Sequence, residues 1–194
     1  MFRPTSSTYF MLLVFYLSSC HSTTTKAKDD ATSVDAHIKD SIYFNAVLPA
    51  QIVIDSIVLE KKSHILMVFN QGVLLKKYRV ALGTQPIGHK QFEGDRKTPE
   101  GMYYINGKNP NSSYYKNLGI SYPNANDLAY AKKHGKSAGG DVKIHGLPPS
   151  WADIGKAQCE SDWTWGCIAL SNEEMEELYT HVNIGAPIFI YYQK

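Results

Sequence analysis

The chain has 194 residues and is 43% hydrophobic, with 20 basic against 18 acidic side chains and a net charge of +2. The basic residues are scattered, so electrostatics gives no support to a nucleic-acid partner. Cysteine use is sparse, at Cys20, Cys159 and Cys167.

Arg3 gives a weakly basic start. Tyr9 to Leu17 then form an apolar run of about nine residues, the length of a signal-peptide core. A membrane-spanning helix requires about twenty. The run ends in Leu17-Ser18-Ser19-Cys20, which resembles a bacterial lipobox. That resemblance implies cleavage before Cys20, acylation of its sulfur and amine, and an exported protein anchored by lipid to a membrane of the cell envelope, on its periplasmic side. The plain alternative is an ordinary signal peptide with an incidental cysteine. His21 to about Ser41 is rich in Ser, Thr, Lys and Asp and cannot bury a core. The expected organisation is therefore a lipoprotein signal peptide over 1–19, an acylated cysteine with a flexible tether over 20–50, and one catalytic-size domain over 51–194.

Within the domain, Gln51–Glu60 and Ser63–Phe69 are rich in Ile, Val, Leu and Phe and predict two strands. Asn70-Gln71-Gly72 predicts a turn into a third strand, Val73–Leu82. Met102–Ile105, between Gly101 and Gly107, predicts a short fourth. Asp127–His134 predicts a helix closed by Gly135, and Val142–His145 alternates as a strand ending at Gly146. Ser171-Asn172-Glu173-Glu174 has the Ser-x-x-Glu spacing of a capping box and predicts a helix to about His181. Ile188–Tyr192, after Gly185-Ala186-Pro187, predicts a final strand. The fold class is mainly β with one or two helices (α+β).

Two stretches could carry chemistry: Ile144-His145-Gly146, and Asp162-Trp163-Thr164-Trp165-Gly166-Cys167-Ile168-Ala169-Leu170. A cysteine nucleophile needs a base to take its proton and donors to hold the oxyanion of an acyl intermediate. His145 suits proton transfer near neutrality. Gly166 lets backbone approach a substrate carbonyl, and the Cys167 N–H is a natural oxyanion donor. Three other readings stand beside this one. Cys159 and Cys167 could pair, permanently or reversibly, which would silence the thiol. His145, Cys159, Cys167 and His181 could hold zinc, although their spacing matches no common ligand pattern. Trp163 and Trp165 either stack on substrate or pack.

His145-Gly146 followed by Thr164-Trp165-Gly166-Cys167 resembles the L,D-transpeptidase (YkuD) catalytic domain. Further stretches agree in order: Ala81-Leu82-Gly83, Pro86-Ile87-Gly88-His89-Lys90, Glu93-Gly94-Asp95-Arg96-Lys97-Thr98-Pro99-Glu100-Gly101, Leu118–Pro123 and Gly139-Gly140-Asp141. The resemblance covers most of residues 50–194. It implies that family's β-sandwich or barrel fold and a cysteine acyltransferase acting on peptidoglycan stem peptides, with Cys167 as nucleophile and His145 as proton donor and acceptor. It implies no metal and no cofactor. Gly166, Thr164, Trp165 and Gly146 would shape the site and its oxyanion hole. Asp141, Asp162 or Ser121 could orient His145, or an aspartate could bind a diamino acid's ammonium; surface carboxylates are the plainer reading. Two departures stand out: Trp165 replaces the family's usual histidine, and Ala169 replaces a frequent Arg or Asn. Both bear on the accepting peptide, so three outcomes stay open: transfer to an amine, hydrolysis of a stem peptide or of a peptidoglycan–protein link, or a silent wall-binding lipoprotein.

Overall fold

The computed structural model describes residues 40–193. The expected signal peptide and Cys20 lie outside the described residues. Ordered packing begins before Gln51: Leu48 is buried in the core and Arg79 lies over the Phe44 ring.

Eight strands run β1 (Ser56–Glu60), β2 (Ile65–Asn70), β3 (Val73–Arg79), β4 (Gly101–Ser112), β5 (Tyr115–Ile120), β6 (Lys143–His145), β7 (Ile168–Ala169) and β8 (Pro187–Tyr191). In space the order is β3-β2-β1-β8-β4-β5-β6-β7, with parallel pairing only at β1–β8 and β6–β7. Two isolated bridges, Ala81–Ala169 and Gly83–Thr164, join the chain beyond β3 to the far end of this sheet. The sheet thus curls back on itself, and the segment that closes it carries Cys167.

Alternation along the strands builds the core. Ile57 and Leu59 face inward while Val58 faces out, and Ile188 and Ile190 face inward beside exposed Phe189. Helix α1 (Ala125–Lys133) is capped by Asn124, whose side chain accepts from the Asn126 and Asp127 N–H groups. Helix α2 (Asn172–His181) buries Met175 and Leu178. Ser171 caps it as the sequence predicts, accepting from the Glu174 N–H at 3.3 Å. The return half of the box differs: the Glu174 carboxylate takes the Ser171 hydroxyl at 3.1 Å.

Three elements depart from expectation. The fourth strand extends to Ser112 and forms a long hairpin with β5, which the sequence reading omits. The third strand stops at Arg79, and its last residues instead pair with the Cys167 segment. Pro149–Glu160 forms a 3₁₀ segment kinked at Gly155, which carries the chain from β6 to the Cys167 segment. Among the described residues, no helix is long and apolar enough to cross a membrane.

Candidate active site

His145 and Cys167 are 22 positions apart (167 − 145), and the β6–β7 pairing brings them together. His145 pairs with Ala169 across these strands, and the Leu170 N–H donates to the His145 carbonyl at 2.9 Å. Cys167 sits in a loop pinned on both sides. The Thr164 N–H donates to Leu82, the Thr84 N–H to Thr164, and Ala81 and Ala169 exchange a pair of bonds. Thr164 shapes the loop from within: its hydroxyl donates to the Cys167 carbonyl at 2.7 Å and accepts from the Gly166 N–H at 3.1 Å. The Cys167 N–H has no partner among the described residues, which leaves it free as an oxyanion donor.

The glycines have reasons the sequence reading placed elsewhere. Gly166 adopts φ +127°, and a Cβ there would lie 2.6 Å from the Lys97 carbonyl oxygen. Its lack of a side chain therefore serves the close approach of the neighbouring loop. A Cβ on Gly146 would lie 2.6 Å from Asn172 Oδ1, the atom that accepts from the Leu147 N–H.

His145 is 6% exposed. Its Nδ1 lies 2.7 Å from the Gly146 carbonyl. A carbonyl only accepts, so Nδ1 carries the proton and Nε2 is left basic. None of the proposed orienting groups reaches it. Asp162 takes the Leu82 N–H at 2.7 Å and His64 Nε2 at 3.0 Å. Asp141 pairs with Lys143, and the Ser121 hydroxyl accepts from the Tyr104 N–H. Aromatic walls hold the ring instead. Tyr114 lies at 4.8 Å and Trp163 packs edge-on at 5.6 Å, between ring centroids. Burial pushes the imidazole below its ordinary pKa, with the Lys143 charge adding to this and the Gly146 carbonyl opposing it.

Burial likewise pushes the Cys167 thiol up, opposed by the Lys143 N–H and by the Lys143 and Lys90 cations. Both shifts disfavour the charged form, of the thiol and of the imidazole alike. Cys167 Sγ has the Asp141 carbonyl at 3.7 Å, and no hydrogen bond joins it to His145 among the described residues. Both groups line one cavity.

That cavity is about 540 Å³, walled by Tyr114 and Trp163 and by the uncharged hairpin side chains of Asn109, Asn111 and Asn117. A second cavity of about 530 Å³ meets it at Cys167 and is lined by Lys90, Glu93, Asp141 and several glycines. Trp165 borders both, 69% exposed, with the Arg96 guanidinium 4.6 Å from its ring centre. Ala169 borders neither. It is fully buried in β7.

Cys159 and Cys167 are both free. The Cys159 thiol donates to the Arg79 carbonyl at 3.1 Å, and burial pushes it up to about 12. The zinc quartet is not assembled either. His181 Nδ1 is bonded to the Ile52 carbonyl, and no three His, Cys, Asp or Glu side chains among the described residues form a metal site.

Several residues escape sequence reasoning. Buried Gln158 accepts from Trp163 Nε1 at 2.9 Å and donates to the Ala169 carbonyl at 3.1 Å, so it ties the His145 wall to the Cys167 segment. Fully buried Lys61 donates at 2.8 Å to the Gly88 and Thr98 carbonyls and to Glu100. It fixes the loop that backs Gly166. Asp95 shapes the turn after Gly94: it accepts from the Gln91, Phe92 and Lys97 N–H groups and from Lys90.

Among known proteins, the family model of the L,D-transpeptidase catalytic domain (YkuD) matches residues 51–190. An Escherichia coli K12 protein named "Putative L,D-transpeptidase YafK" is 36% identical over 121 residues, or 61% of this chain and 41% of that protein. The chain thus spans about two fifths of the length of the curated relatives it matches. The structure of Pgp2 from Campylobacter jejuni, a helical cell shape determining protein, superposes with a TM-score of 0.55 at 27% identity, over 74% of this chain and 49% of that one. A point mutant of Pgp2 superposes with the same score at 28% identity, over 79% and 53%.

Proposed function

This chain belongs to the L,D-transpeptidase catalytic domain (YkuD) family, and from that premise we propose that it is a cysteine acyltransferase of peptidoglycan stem peptides. One observation carries the reading: the Gly146 carbonyl holds the proton on Nδ1 of His145, leaving Nε2 as the base in the cavity Cys167 also lines. Nε2 takes the thiol proton as Sγ attacks the carbonyl carbon joining the third stem residue to D-Ala. The carbonyl oxygen becomes an oxyanion, for which the Cys167 N–H is the free donor. The imidazolium gives its proton to the departing D-Ala nitrogen, leaving a thioester on Cys167. His145 then deprotonates an incoming amine, which attacks the thioester and regenerates the thiol. The likeness to Pgp2 supports placing this activity in wall remodelling that governs cell shape.

Water in place of the amine makes the same steps a hydrolysis, of a stem peptide or of a peptidoglycan–protein link. Trp165 favours this second reading, because an exposed indole stands between the two cavities where the family usually has histidine. The domain incubated with defined disaccharide tetrapeptides separates the outcomes by mass spectrometry. Cross-linked dimers are expected for transfer, and D-Ala release without dimers means hydrolysis. Unchanged spectra, on these and on protein-linked wall fragments, would sink both and leave a silent wall-binding lipoprotein.

Anchoring through Cys20 belongs to the same proposal, on the strength of Leu17-Ser18-Ser19-Cys20 after an apolar run. Cys20→Ser should move the protein from the membrane fraction to the soluble one. Retention in the membrane fraction counts against lipidation.

A further inference from the structure

The two cavities that meet at Cys167 differ in kind. The first is lined by amides, hydroxyls and aromatic rings, and its one cation, Lys143, is paired with Asp141. The second has a buried ammonium in its wall. Lys90 is 4% exposed, yet it borders this space together with Gly166 and Cys167. A Cβ built on Gly166, the residue preceding the nucleophile, would lie 3.9 Å from Lys90 Nζ.

An ammonium has three donors. Lys90 places one on the Phe92 carbonyl at 3.1 Å and one on Asp95 at 2.8 Å. The third has no hydrogen-bond partner among the described residues. Asp95 offsets the charge only in part, since three backbone N–H groups also share its carboxylate. Glycines 94, 139, 140 and 166 line the same cavity. The exposed carboxylates of Glu93 and Asp141 lie at the same cavity and disfavour an anion at its mouth. An anion is therefore favoured at one place, against Lys90 and beside Cys167.

We propose that Lys90 binds the substrate carboxylate on the carbon bearing the reacting nitrogen, making the second cavity a subsite for an α-amino carboxylate. This deepens the acyltransferase reading and rests on it. The leaving D-Ala nitrogen has its carboxylate one carbon away, so a nitrogen held over Cys167 within reach of His145 can still extend that carboxylate into the second cavity. The incoming amine reacts by the reverse of the same step and passes through the same place. Lys90 therefore selects amines that carry an adjacent carboxylate over amines at the end of a long side chain.

The test compares three peptides: a stem tetrapeptide ending in D-Ala, the same peptide ending in D-alaninamide, and a D-Ala peptide with lysine as third residue, which lacks the diamino acid's side-chain carboxylate. Wild type is expected to favour the free acid over the amide by at least about tenfold in kcat/KM, because the neutral amide replaces a charge-assisted bond to a buried ammonium with a weaker neutral one. In Lys90→Met that ratio should fall to within about twofold, while wild type should use the lysine peptide within about twofold of the diamino acid tetrapeptide. A purely structural role for Lys90 would slow acid and amide alike and leave their ratio intact, which overturns the inference. So would equal use of acid and amide by wild type, a measurement that stands even if Lys90→Met does not fold. If loss of the side-chain carboxylate alone costs the tenfold, the carboxylate read is the diamino acid's and the assignment falls. Activity on acid and amide at equal rates leaves the acyltransferase reading standing, whereas silence on every peptide removes both.

Discussion

Cys167→Ala is expected to lose all covalent labelling by a carbapenem-type acylating probe and to release D-Ala at least about 10⁴-fold more slowly than wild type, since Cys167 is the one thiol lining the cavity among the described residues. The effect should be chemical and not structural. The thiol's hydrogen-bond partner is the Asp141 carbonyl at 3.7 Å, and the loop is held by Thr164, Leu82 and Ala81 through bonds that the substitution leaves alone. Melting should therefore shift by no more than about 2 °C. Cys159→Ala is the matched control. Its thiol faces the Arg79 carbonyl and lines neither cavity, and a thiol pushed up to about 12 holds almost no thiolate at neutral pH. This control should label and turn over as wild type does. Full labelling of Cys167→Ala, with the adduct mapped to Cys159, would reverse the assignment.

What could be read from the chain beforehand follows a physical divide. Alternating strands, the Ser171 cap and the Gly-Cys and His-Gly pairs are local patterns, written within a few residues of where they act. The Asn-Gly-Lys-Asn-Pro-Asn-Ser-Ser stretch misleads because its composition signals a turn, whereas pairing with β5 draws it into a long hairpin that walls the site. Burying a lysine is costly unless carbonyls or carboxylates meet it; the partners of Lys61 lie 27 to 39 positions away and come together only in the fold, whereas Lys90 is met locally by Phe92 and Asp95. Gln158 gives no signal at all: its value lies in joining Trp163 to the Ala169 carbonyl, two groups it meets only once β7 is in place. Ala169 shows the opposite failure. Its position near Cys167 suggested contact with substrate, yet in β7 it is fully buried, and Ile168 and Leu170 on either side of it are buried too.

His145→Gln carries the second large effect, a fall of about 10²–10⁴-fold in the acylation rate near pH 7, and its pH profile distinguishes a base from a merely structural histidine. The wild-type sign follows from burial. The ring sheds its proton at a pH lower than an ordinary histidine does, so the rate should rise with pH about a midpoint below about 6.5 and then stay level through neutrality. No further rise is expected there, because the thiol is pushed up and stays protonated. Proton transfer to Nε2 then occurs as Sγ attacks, not in a preformed ion pair. Glutamine cannot accept that proton. The variant must rely on the small fraction of free thiolate, and its rate should climb about tenfold per pH unit toward the alkaline range, where wild type is flat. A structural role would lower the rate but preserve the shape of the wild-type profile. A level profile in His145→Gln between pH 7 and 8 would therefore remove His145 as the base, and a wild-type midpoint above 7 would show that its charged form, not its neutral one, is held in the site.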